Sequence, residues 1–125
     1  MNSILISLLV TAVFFVVAVV LGFRLGKSPK PYPKVLLICH ALMFFAIAYS
    51  IGACLDKLSK TTTDTSLAKG ALLVALALLW ANLVSGIVMI CLKQKNRGWI
   101  LAHKVAMFVM AFALVAAGVL MVMKW

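Results

Sequence analysis

The chain has 125 residues, 66% of them hydrophobic and 11% charged, with a formal net charge of +10. This excludes a soluble globular domain, which needs far more polar surface, and leaves no soluble basic module for nucleic acid. The two acidic residues, Asp56 and Asp64, fall at or beyond apolar-segment ends, so proton coupling through a membrane carboxylate is excluded as well.

Four apolar stretches cover residues 4–23, 35–55, 67–92 and 99–122. Each reaches the roughly 20 residues that cross a hydrocarbon core as a helix. Helices are the spanning option for such runs because every backbone group must be satisfied internally. The expected fold is all-α: one transmembrane domain over 1–125, an integral membrane four-helix up-down-up-down bundle built from two tandem helical hairpins.

The first stretch follows Met1-Asn2-Ser3, which has no basic side chain, and is long enough to span. It reads as a retained helix rather than a signal peptide. Gly22 lies near its end. A turn follows, carrying Arg24, Lys27, Lys30 and Lys34, with Pro31 and Pro33 stiffening it around Tyr32. The second stretch holds His40, six residues after Lys34. A polar loop from Lys60 to Ser66 offers Thr65 or Ser66 as N-cap of the third helix. That helix holds Trp80 and Asn82 in its middle and Ser85-Gly86 further on. The last turn carries Lys93, Lys95 and Arg97, with Gly98 suited to a helix start or a positive φ. The fourth stretch holds His103, six residues after Arg97, and ends near Met121, Met123 and Trp125. Tyr32, Trp99 and Trp125 sit where interfacial aromatics are expected.

The basic residues fix a topology. Arg24, Lys27, Lys30, Lys34, Lys93, Lys95, Arg97 and Lys104 lie on one side. Lys57, Lys60, Lys69 and Lys124 lie on the other, offset by Asp56 and Asp64. Basic loops stay cytoplasmic, so both termini are expected outside. The expected location is a bacterial-type inner membrane.

A shift of 63 positions lays His40 on His103, Phe45 on Phe108, Ala48 on Ala111, Ala53 on Ala116, Lys30 on Lys93 and Lys34 on Arg97. Such a repeat of two helices puts a pseudo-two-fold axis along the membrane normal. Helices two and four are then diagonal neighbours, with the histidines approaching the axis from opposite sides at equal depth.

An ionisable side chain in a bilayer is costly and usually has a partner or a task. Two matched histidines point to one shared ligand, with haem iron the leading candidate, since neutral imidazole is a good iron ligand. Gly22 and Ser85-Gly86 fall near histidine depth and let a flat ring approach the backbone. Lys34, Arg97, Lys95 and Lys104 lie towards the nearer surface, within the range of two propionates. Phe44, Phe45, Met107 and Phe108 lie one or two turns along and are candidate walls. Plain bundle packing accounts for the glycines, aromatics and charges equally well. Zinc lacks a four-ligand set. Cys39 adjoins His40 but points about 100° away from it. Cys39, Cys54 and Cys91 form no C-x-x-C and read as packing residues.

In this architecture and in His40 and His103 the chain resembles small four-helix b-type cytochromes and the haem-bearing membrane anchors of respiratory complexes. It departs from the two-haem members, which carry a histidine pair near each face. The resemblance implies one haem b near the cytoplasmic face, exchanging electrons with a quinone or a partner redox subunit. It implies an electron-transfer protein rather than a complete enzyme. Three alternatives stand beside it: a cofactor-free structural or assembly subunit of a membrane complex, a pigment-binding subunit with one (bacterio)chlorophyll per histidine, and a small histidine-driven transporter with Asn82 and Trp80 as its polar sites.

Overall fold

The computed structural model describes residues 2–61 and 64–124. Four helices fill it: α1 (Asn2–Lys27), α2 (Lys34–Ser59), α3 (Ser66–Cys91) and α4 (Arg97–Lys124). All four are long and apolar enough to cross a membrane. The described residues hold no strand. The part expected of Trp125 as an outer anchor lies outside the described residues.

α1, α2 and α4 outrun their apolar stretches, whereas α3 matches the length of its own. A helix of 26 residues, such as α1, is about 39 Å long at the usual rise. The hydrocarbon core is only about 30 Å thick. Hydropathy marks that core, whereas the backbone stays helical into the interface. The additional turn of α1 carries Arg24 and Lys27, whose charge suits a helix C-terminus.

α1 packs closely on α2, and α3 on α4. α2 meets α3 and α1 meets α4 more lightly, while the diagonal helices approach only through side chains. Ile47, Ile51, Cys54 and Leu58 on α2 and Ala68, Leu72, Ala75 and Leu79 on α3 are buried at alternating steps of four and three. That seam is the coiled-coil pattern of an antiparallel bundle. Ile4, Thr11, Ala117 and Met121 complete the same core. The core is therefore concentrated towards the end that carries the 60–65 loop. The end that carries the two basic loops is hollow. Large apolar side chains such as Val13, Leu73, Phe112 and Val115 cover the outside, as a lipid-facing surface requires.

The helix starts differ from expectation. Neither Thr65 nor Ser66 caps α3 with its side chain. Asp64 does so instead, accepting from the Ser66 amide at 3.1 Å, because its carboxylate reaches two residues forward as an Asx turn. Asn96 caps α4, its Oδ1 accepting from the Trp99 amide at 3.2 Å. Gly98 is helical, with no positive φ. Its value is space: a Cβ there would stand 3.2 Å from that capping oxygen.

Candidate ligand cleft

The hollow end of the bundle is a cleft of about 540 Å³ lined by all four helices. Its lining shows the repeat more fully than the sequence does. On α2 and α4 the lining residues pair at an offset of 63: Leu37 with Ile100, His40 with His103, Phe44 with Met107, Ile47 with Met110. On α1 and α3 they pair at 64: Phe15 with Leu79, Ala18 with Asn82, Gly22 with Gly86. The extra position arises because 28–33 joins α1 to α2 with six residues and 92–96 joins α3 to α4 with five. The first of these loops also contains Pro29.

His40 and His103 meet across the diagonal, with ring centroids 6.4 Å apart and planes inclined at 55°. Each ring rests on a glycine of its own hairpin. A Cβ on Gly22 would lie 3.2 Å from His40 Cε1, and one on Gly86 would lie 3.7 Å from His103 Cε1. The glycines give the imidazoles room to lie against the neighbouring backbone.

The hydrogen bonding behind the two rings is not symmetric. Ser85 Oγ lies 2.8 Å from His103 Nδ1 and donates to the Asn82 carbonyl at 3.0 Å. One hydroxyl has one proton. Both contacts are satisfied only if Nδ1 carries a hydrogen and donates to Oγ, which leaves Nε2 with a free lone pair. His40 has no such partner. Its Nδ1 is buried without a hydrogen bond. The Ala18 carbonyl acts on the ring from the place that matches Asn82, but it does not reach hydrogen-bonding geometry with Nδ1.

Of the residues singled out from the sequence, His40, His103, Gly22 and Gly86 come together in the cleft. Lys34 and Arg97 do not. They are exposed and outside its lining. Six residues before a histidine is one and two-thirds turns, which leaves each about 120° around its helix. Lys95 and Lys104, expected there with them, do line the cleft, and Lys27 and Tyr32 join them. Phe44 and Met107 form walls. Phe45 and Phe108 are 60% and 56% exposed; five residues on from its histidine, each points about 140° away. Asn82 lines the cleft with its Oδ1 buried and unpartnered. Cys39 is half-buried beside His40, Cys54 is buried in the core and Cys91 is exposed.

Two features escaped the sequence. Ser85 stood out only as a small residue, and its hydroxyl role depends on how α3 packs against α4. Lys27 stood out only as loop charge.

Among the described residues no three His, Cys, Asp or Glu side chains converge as a metal site. A macrocycle bringing four nitrogens of its own needs only two ligands from the protein. No protein-family model matches the chain, no curated protein matches it, and no solved structure matches it.

Proposed function

We propose that this protein is a membrane b-type cytochrome, or a cytochrome subunit, that holds one haem between His40 and His103. The observation that carries this reading is the 6.4 Å separation of the two ring centroids. Two imidazoles that share one metal ion, each at a nitrogen–metal distance of roughly 2 Å, bring their ring centres to about 6–7 Å. The cleft, about 540 Å³, falls within the roughly 300–1,000 Å³ of small-molecule and cofactor sites.

When bound, the iron supplies reversible one-electron chemistry. The chain supplies the rest. His40 and His103 would hold the iron through ring nitrogens, and Gly22 and Gly86 leave space for their rings. Phe44 and Met107 give apolar walls. Lys27, Lys95 and Lys104 put positive charge on the lining, suited to two propionates. The solid core of the other half leaves one site near one face, so electrons are exchanged locally with a quinone or a partner redox subunit. By the positive-inside argument that face is cytoplasmic and both termini are outside.

A reduced-minus-oxidised spectrum of protein purified from haem-replete cells tests the reading. The expected result is a sharp low-spin band at one haem per chain, lost in His40→Ala and in His103→Ala. A preparation without stoichiometric haem sinks it and returns the chain to the assembly-subunit class.

A further inference from the structure

The two histidines are related by the repeat, but their supports are not. His103 Nδ1 meets Ser85 Oγ at 2.8 Å, and that hydroxyl is itself anchored on the Asn82 carbonyl. At the offset of 64 that relates α1 to α3, the position matching Ser85 is Leu21. Leucine offers no donor or acceptor, and His40 Nδ1 is left buried and unpartnered. Asn82 is likewise matched by Ala18. One hairpin therefore holds its imidazole by a two-step relay from side chain to backbone, while the other holds its imidazole by packing on Gly22 beside the Ala18 carbonyl, with no hydrogen bond at Nδ1.

A hydrogen bond at Nδ1 does two things to an imidazole ligand. It fixes which nitrogen carries the proton, and it stops the ring from turning about its χ2 axis. A ring without it exchanges tautomers and rotates among positions, so its Nε2 lone pair is available to a ligated atom for a smaller share of the time.

We propose that Ser85 is a positioning residue that holds His103 as the firm member of the pair, and that His40, with Leu21 in the matching place, is the displaceable member. The proposal rests on the haem reading for the second half. The tautomer of His103 is a property of the chain itself. Displacement is a ligand substitution: the bond from His40 Nε2 to the iron breaks, a bond from an incoming neutral ligand such as carbon monoxide forms, and no electron changes hands. The incoming ligand would take the place of the His40 nitrogen, while His103 stays held by Ser85.

The test uses the whole chain in lipid nanodiscs, as wild type, Ser85→Ala and Leu21→Ser. Nitrogen-15 spectra of the histidine rings without haem should show His103 in one tautomer, with Nδ1 protonated, and His40 as a mixture. Ser85→Ala should turn His103 into a mixture, and Leu21→Ser should give His40 one tautomer. With haem loaded, Ser85→Ala should weaken haem retention by about 10- to 100-fold, the usual cost of losing the hydrogen bond behind a ligating histidine. Carbon monoxide should bind the reduced wild type by displacing His40. Leu21→Ser should suppress that binding several-fold. His103 as a tautomer mixture in the wild type overturns the positioning role whether or not haem is present. A low-spin wild type that refuses carbon monoxide, or a Leu21→Ser variant that binds it unchanged, overturns the displaceable role while leaving the haem reading intact. A wild type that takes up no haem overturns the displaceable role together with that reading.

Discussion

The Lys95 ammonium donates to the Gly26 carbonyl at 2.8 Å, tying the loop of the second hairpin to the last turn of α1 in the first. Lys30 returns the connection, donating from the first loop to the Met89 and Leu92 carbonyls at the end of α3. Each lysine thus satisfies free carbonyls at a helix C-terminus and neutralises the dipole there. The partner of Lys30 in this exchange is Lys95, not Lys93, which the 63-residue shift had placed opposite it. The two hairpins meet only lightly elsewhere, so these crossings hold the cleft end together.

Lys30→Met should therefore destabilise the protein by about 1.5 kcal/mol, at the low end for hydrogen bonds from a charged donor. Lys95→Met should cost less, because its single bond is exposed and screened. Thermal unfolding followed by circular dichroism in detergent checks the order. Equal effects, or a larger loss at Lys95, would show that the crossing from Lys30 is not a tie.

The glycine positions make a directional prediction. A methyl on Gly22 would stand 3.2 Å from His40 Cε1, against 3.7 Å for Gly86 and His103. Gly22→Ala should push the His40 ring and disturb any ligand it holds. Gly86→Ala should be accommodated and gain about 0.5–1 kcal/mol of helix stability. Under the proposed haem function, haem content and the low-spin band of the two variants, read beside their melting temperatures, separate the outcomes. A Gly86→Ala variant that loses its band while Gly22→Ala keeps it would reverse the asymmetry seen here.

The membrane bundle and the histidine pair were legible because hydropathy and charge depth are one-dimensional properties. Apolar runs count residues across a bilayer, and Lys34 and Arg97 set a common depth for His40 and His103. Direction around a helix was harder to read. Lys34, Arg97, Phe45 and Phe108 share the depth of the cleft but not its face, since each residue turns the side chain by about 100°. The repeat was visible between α2 and α4, where His40 and Phe45 recur as His103 and Phe108. Between α1 and α3 it was hidden, because its offset is 64 rather than 63 and the matched residues differ in kind, as Ala18 does from Asn82. Only the packed hairpins reveal that both pairs face one cavity.

Asn82 carries a buried Oδ1 without a partner. An unsatisfied amide in an apolar setting is costly, and removing it with a residue of similar shape is neutral or favourable. Asn82→Leu should raise the stability of the ligand-free protein by about 1 kcal/mol. The Ser85 relay should survive, since Ser85 bonds the Asn82 backbone carbonyl rather than its side chain. A thermal melt combined with the His103 nitrogen-15 signal reads both effects. If the variant melts lower, the amide has a stabilising partner in the membrane, such as an ordered water.

The helix caps give a comparison independent of any ligand. Asp64 Oδ1 accepts from the Ser66 amide, while Thr65 Oγ1 is buried with no partner. Asp64→Ala should cost about 1 kcal/mol, the usual loss for a removed cap. Thr65→Val keeps the shape, removes an unsatisfied hydroxyl and should be neutral or stabilising. Asn96→Ala should resemble Asp64→Ala, because its Oδ1 holds the Trp99 amide. It should also loosen the start of α4, only seven residues before His103. Melting temperatures of the three variants in one detergent decide the matter. If Thr65→Val melts below Asp64→Ala, the cap of α3 belongs to Thr65 after all.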